Sequence, residues 1–205
     1  MEMNAREIAR RLLEIKAVKL SPRRPFTWAS GIQSPIYCDN RMVLSFPEAR
    51  NEIKAALAAA SGQFGEFDVV AGVATAGIAH GTLLADALEA PFIYVRSKAK
   101  QHGRQNQIEG ASPQGKRVLV VEDLISTGGS SLQAIEALRQ AGAQVVGCLA
   151  IFTYGFPKAE RAFDNANVPY ATLSNYDALV REALATNYID KHDLETLQNF
   201  VKQHA

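Results

Sequence analysis

The chain is poor in cysteine, tryptophan and methionine, with two, one and three in 205 residues, and it carries almost no net charge. Two cysteines, Cys38 and Cys148, cannot build a disulfide framework. Together with His80, His102, His192 and His204 they match no metal-ligand spacing, so no protein-ligated metal is expected. Both are expected as reduced thiols, in a cytoplasmic protein. A formal charge of +1, from 22 Lys and Arg against 21 Asp and Glu, excludes a global pull toward nucleic acid or an acidic membrane surface. No apolar run approaches the ~20 residues of a membrane span. Met1 to Leu20 alternates charged with apolar residues and lacks a signal-peptide core. There is no G-x-G-x-x-G. The run Gly110-x-x-x-x-Gly115-Lys116-Arg117 misses a Walker A loop, because Arg117 replaces the Ser or Thr and the glycines precede a strand. No Ser/His/Asp or Cys/His signature offers a covalent nucleophile.

What is present is a regular alternation of apolar strands and amphipathic helices, with a hydrophobic content of 47% that suits one domain over residues 1–205. A helix is expected to start near Asn4. Pro25 to Arg41 breaks the pattern, with Gly31 and Pro35 punctuating two short extended segments of a hairpin. Ser45-Phe-Pro-Glu48 reads as a capping box opening a helix through about Ala60. Strands follow at Asp68–Val73, Phe92–Val95, Lys116–Asp123, Gln144–Phe152 and Tyr170–Leu173. Helices are expected at Ala76–Leu88, Gly129–Gln140, Lys158–Ala166, Tyr176–Leu184 and Asp190–Gln203. This order implies an α/β fold with a central, mainly parallel sheet covered by helices on both faces. Residues 97–114 stand apart as a long loop. Arg96, Lys98, Lys100, His102 and Arg104 fall within nine residues there, and a loop of that length in a compact domain is usually functional.

The most informative stretch is Val118-Leu-Val-Val-Glu-Asp-Leu-Ile-Ser-Thr-Gly-Gly-Ser-Ser131. An apolar strand ends in two adjacent carboxylates, Glu122 and Asp123, and a small, hydroxyl-rich turn opens the next helix. Free N–H groups and the positive end of the helix dipole suit a phosphate. The carboxylates would repel that phosphate and suit sugar hydroxyls instead. The expected ligand is a phosphorylated sugar. Gly72-Val-Ala-Thr-Ala-Gly77 also follows a strand and opens a helix; its small residues allow either close backbone approach to an anion or close helix–strand packing.

The Glu122–Ser131 motif resembles the signature of the type I phosphoribosyltransferases, which bind 5-phosphoribosyl 1-diphosphate (PRPP). Phe26-Thr-Trp-Ala-Ser-Gly31 and Ser34-Pro-Ile-Tyr-Cys-Asp-Asn-Arg41 resemble the hood of the orotate-using branch of that family, spanning here about residues 20–45. With the 72–81 loop, the 94–110 basic loop, the signature and Ile151-Phe-Thr-Tyr154, the likeness covers most of the chain in the family's order. It implies the type I phosphoribosyltransferase fold with a small N-terminal hood hairpin, orotate and PRPP as substrates, Mg²⁺ as cofactor, and a homodimer in which the mobile basic loop reaches the partner's site. By position, Arg96, Lys100 and His102 match PRPP-binding residues of that loop. Glu122, Asp123, Leu124, Ile125, Ser126, Thr127, Gly128, Gly129 and Ser130 match the ribose-5-phosphate segment, and Ala74, Thr75, Ala76 and Gly77 match the diphosphate loop. Ser126, Tyr37, Cys38 and Tyr154 match the orotate side. The chain departs from many relatives at Ala29, where they have lysine, at Ser97, where they have a second basic residue, and at Tyr154, where they have arginine. Arg41 or backbone N–H groups are candidates for the orotate carboxylate.

The implied reaction joins orotate N1 to ribose C1 and releases diphosphate, with Lys100, His102 and Asp123 the expected catalytic residues. Transfer to another base, purine or uracil, would use the same motifs, and a non-catalytic PRPP-binding regulator would keep the fold. The single helix before the hood is too little for helix-turn-helix recognition of DNA.

Overall fold

A computed structural model describes residues 3–28, 31–97 and 107–203. Asn4 caps α1 (Ala5–Glu14) by accepting from the N–H groups of Arg6 and Glu7, while Glu7 accepts from the Asn4 N–H, which satisfies donors a helix start otherwise leaves open. Then come β1 (Val18–Leu20), β2 (Phe26–Thr27), β3 (Gln33–Ser34) and β4 (Ile36–Cys38). A 3-10 turn over Asn40–Ser45 leads to α2 (Pro47–Ser61). The alternating part contains β5 (Val69–Val73), α3 (Ala76–Ala87), β6 (Phe92–Val95), β7 (Ile108–Glu109), β8 (Arg117–Ile125), α4 (Gly129–Gln140), β9 (Gln144–Thr153), α5 (Pro157–Asn165), β10 (Tyr170–Asn175), α6 (Tyr176–Ala185) and α7 (Leu194–Gln203).

Among the described residues the main sheet has the order β10-β9-β8-β5-β6-β7, parallel throughout except for β7. Its central strands, β5, β8 and β9, are buried on both faces. Leu119 and Val121 join one core with α1, α2 and α6; Val118 and Val120 join the other with α4 and Phe163 of α5. That two-sided burial explains the continuous apolar runs. From β5 the chain crosses to β6 on one side, and from β8 it crosses to β9 on the other. Such a reversal opens a crevice beyond the C-terminal ends of β5 and β8, the place where open α/β sheets bind ligands. No helix of the described residues is long and apolar enough to cross a membrane.

Five expectations need correction. β8 continues through the acidic pair to Ile125, because Leu124 and Ile125 go on pairing with Phe152 and Thr153 of β9. The Ser45 capping box does not form: α2 begins at Pro47 with no side-chain cap, since Ser45 still belongs to the preceding 3-10 turn and Pro47 has the fixed φ of a first helical residue. The 97–114 segment is not all loop, because Ile108, 6% exposed, buries against the core and extends the sheet as β7, antiparallel to β6. Val18–Leu20 is a strand paired with β4, so the hood is two small antiparallel pairs where one hairpin was expected. The last helix is split, with a 3-10 turn at Lys191–Asp193 before α7.

Candidate active site

Two loops leave neighbouring strand ends and face each other. The first, Ala74-Thr75, joins β5 to α3. Gly72 and Gly77 are where backbones touch: a Cβ on Gly72 would lie 2.7 Å from the Gly77 carbonyl oxygen, and one on Gly77 only 2.5 Å from that of Val121. Close packing therefore accounts for both glycines, and it seats the start of α3 directly on β8. Thr75 precedes α3 without a side-chain cap, so the first N–H groups of the helix stay available to a ligand.

The second loop, Ser126–Gly128, joins β8 to α4. Gly128 adopts a left-handed conformation (φ +81°), and a Cβ there would also meet the Phe163 ring at 3.0 Å. Only glycine turns the chain there cheaply. No side chain caps α4 either. Thr127, Gly129 and Ser130 are exposed and Ser126 is half-buried, so the hydroxyl-rich turn opens to solvent at a helix start. Val73, Ala74, Arg96, Ser97 and Ser130 line one narrow crevice between the two loops. Two larger cavities, of 790 and 640 Å³, lie toward the C-terminal helices; neither is lined by the acidic pair or by these helix starts.

The acidic residues occupy different environments. Asp123 is half-buried, whereas Glu122 is 5% exposed. Glu122 accepts from the Asp123 N–H (3.0 Å) and from the hydroxyls of Ser130 (3.2 Å) and Ser131 (3.4 Å). It thereby ties the strand to the first turn of α4. Burial first, then the Asp123 charge, raises its pKa to about 8. Opposite, Asn40 donates from Nδ2 to the Asp123 carbonyl at 2.7 Å. No group of three or more His, Cys, Asp or Glu side chains among the described residues could hold a metal.

The hood covers the β9 side. The Trp28 ring stacks near Tyr154 (5.3 Å between centroids) and its Nε1 donates to the Ile36 carbonyl, which pins the hairpin. Tyr154 also stacks on Phe156 at 5.3 Å and is buried. The Tyr154 N–H (3.3 Å) and the Thr153 hydroxyl (2.9 Å) both donate to the Ile125 carbonyl, so Tyr154 comes to lie beside the Ser126 turn. Tyr37 is exposed and Cys38 half-buried. Burial, followed by the charges of Asp123 and Asp39, pushes the Cys38 thiol well up. Burial likewise raises the Tyr154 phenol, with Cys38 and Asp123 adding to it. Both stay neutral near pH 7. Arg41 is held by Asp39 through two bonds of 2.6 and 2.8 Å, so its guanidinium is already engaged.

Arg96 reaches Glu109 at 3.4 Å, and its N–H donates to the Gln107 carbonyl, which closes the base of the basic loop. Lys98, Lys100, His102 and Arg104 lie outside the described residues, as does Ala29. The fold thus gathers Ala74, Arg96, Asp123, Ser126 and Ser130 at one end of the sheet, with Tyr37, Cys38 and Tyr154 under the hood. Asn40 and His80 were not singled out from sequence. A bond spanning 83 positions leaves no local pattern to find.

Comparison with known proteins fits this geometry. The phosphoribosyl transferase domain family matches residues 40–179. Orotate phosphoribosyltransferase of Listeria monocytogenes is 56% identical over 198 residues, 96% of this chain and 95% of that protein. The crystal structure of orotate phosphoribosyltransferase from Aeropyrum pernix superposes with a TM-score of 0.76 at 30% identity, covering 89% of this chain and 99% of that one. That of the Mycobacterium tuberculosis enzyme in complex with PRPP gives 0.66 at 25%, covering 85% and 98%.

Proposed function

The chain belongs to the orotate phosphoribosyltransferase family, and we propose that the crevice beyond β5 and β8 is where its reaction takes place. It transfers the 5-phosphoribosyl group of PRPP to orotate, giving orotidine 5′-phosphate and diphosphate, in pyrimidine biosynthesis. The observation that carries the site is the convergence of two uncapped helix starts on one side of an acidic strand end.

In this reading the N–H groups at the start of α4, that of Ser130 among them, hold the 5-phosphate with the hydroxyls of Ser126 and Thr127. Leu124 and Ile125 carry that turn at the strand end. Asp123 accepts from the ribose hydroxyls. Glu122, already occupied by Ser130 and Ser131, supports it and fixes the phosphate turn. The Ala74–Gly77 loop takes the diphosphate, with Arg96 beside it. Lys100 and His102 of the basic loop close over the leaving group, stabilise its charge and exclude water. Ser126, Tyr37, Cys38 and Tyr154 surround the pyrimidine. With Arg41 engaged by Asp39, backbone N–H groups are left to meet the orotate carboxylate.

Bond cleavage at C1 develops oxocarbenium character and needs no protein nucleophile. The protein's contribution is to align N1 with C1 and to offset the charges that form. Hard carboxylate oxygen on Asp123, with no cluster among the described residues able to enclose a metal, suits Mg²⁺ held chiefly by substrate and water. When bound, Mg²⁺ neutralises diphosphate charge. The working unit is a homodimer whose basic loops serve each other's sites. Two free cysteines support a reducing compartment, the cytoplasm.

The experiment is base competition: diphosphate release from PRPP and Mg²⁺ with orotate, uracil, hypoxanthine, adenine or xanthine. Release with orotate alone is expected. Release with another base and not orotate overturns the assignment.

A further inference from the structure

We propose that Asn40 and His80 form a buried positioning pair that holds Asp123 in place and couples the hood and the diphosphate-loop helix to the ribose site. The proposal rests on the assignment of Asp123 to the ribose hydroxyls.

Three observations meet at one point. Pairing between β5 and β8 ends at Gly72 and Val121, so on that side Asp123 has no strand beside it. Its backbone is secured from elsewhere: the N–H by Glu122 Oε1 at 3.0 Å, and the carbonyl by Asn40 Nδ2 at 2.7 Å. Asn40 is fully buried and opens the turn directly after β4, the hood strand that carries Tyr37 and Cys38. His80, also fully buried, sits on α3, whose first turn is the diphosphate loop. Asn40 Oδ1 and both His80 ring nitrogens have no hydrogen-bond partner among the described residues.

Buried polar atoms are rarely left unpaired, because each forfeits its solvation without return. The two residues are neighbours: burial lowers the His80 pKa and keeps the ring neutral, opposed by the Asp123 charge and then by the Asn40 backbone. A neutral imidazole offers one N–H and one acceptor. Asn40 Oδ1 needs one donor. In the proposed pair a His80 N–H supplies that donor and fixes which way the amide points. Oriented so, Nδ2 can only face the Asp123 carbonyl. Hood, diphosphate loop and ribose carboxylate are then joined through a single amide. Neither residue touches substrate; both act through Asp123.

The test is a double-mutant cycle on the full chain with Asn40→Ala and His80→Ala, reading kcat and KM for PRPP together with Tm. Asn40→Ala is expected to lower kcat/KM for PRPP by about tenfold or more, the scale of a misplaced reacting group, chiefly through a higher PRPP KM. The double variant is expected to lose clearly less than the product of the two single losses. A purely structural role would lower Tm and leave kcat and both KM values of the folded protein as in the wild type, and that result overturns the proposal. So do single losses that multiply. If Asn40→Ala does not accumulate as folded protein, Asn40→Ser replaces it under the same criteria. Wild-type turnover of orotate stands apart from these outcomes. Its absence would sink the function, whereas its presence with unmoved PRPP kinetics in the variants sinks only the pair.

Discussion

Glu122 and Asp123 are adjacent in sequence and opposite in circumstance. One is sealed in with two serine hydroxyls; the other is only half-buried. Asp123→Asn keeps the shape and removes the charge. Steady-state kinetics should show PRPP turnover reduced by about a hundredfold, with Tm almost unchanged; equal loss of fold and activity would make Asp123 structural. Glu122 predicts a pH effect. Its folded pKa lies above the ordinary 4.5 and near 8, so the native state keeps a proton the unfolded chain gives up. Its contribution to stability is fully present below the ordinary carboxylate range and is lost as pH rises through about 8. Between about pH 5 and about pH 9, Tm of the wild type should therefore fall more than that of Glu122→Gln. Parallel profiles would contradict the burial argument. At this scale the sequence was legible wherever chemistry is written in neighbouring letters, as in Glu-Asp followed by Ser-Thr-Gly-Gly-Ser. It could not separate the two acids, because their difference arises from packing under α4. Nor could it show Asn40 beneath Asp123.

Elements are positioned by glycines more than by caps. α3 lies so close to β8 that a Cβ at Gly77 would stand 2.5 Å from a carbonyl oxygen. Gly77→Ala must push the helix away, and the diphosphate loop with it. Thermal unfolding should show a loss of about 1–3 kcal/mol, the usual cost of overpacking, together with a higher PRPP KM. Unchanged stability would mean that α3 has room to move. Strands and helices of the alternating region were readable because two-sided burial writes continuous apolar runs. The hood was less so: pairs such as Phe26–Thr27 with Gln33–Ser34 are too short to show a period, and β1 hid behind a helix. Ile108 was overlooked for the same reason. One buried side chain amid polar neighbours makes an edge strand without making a pattern.

For the whole molecule, the decisive feature is the reversal of strand order between the parallel neighbours β5 and β8, which sets two ligand-seeking helix starts beside one acidic strand end. The alternation of elements implied the parallel sheet but not where its order reverses, and the proposed homodimer with shared sites rests on the family resemblance alone. It has a direct check. Lys100→Ala and Asp123→Asn proteins, each nearly inactive, should regain activity when unfolded, mixed and refolded together, up to about a quarter of wild type if protomers pair at random in a two-fold dimer. No recovery would place each loop over its own crevice. The central claim, that this crevice transfers a phosphoribosyl group to orotate, is tested most directly by following orotate's ultraviolet absorbance after PRPP and Mg²⁺ are added. The account predicts that absorbance falls and that one diphosphate appears for each orotate consumed. Constant absorbance with folded protein would contradict it.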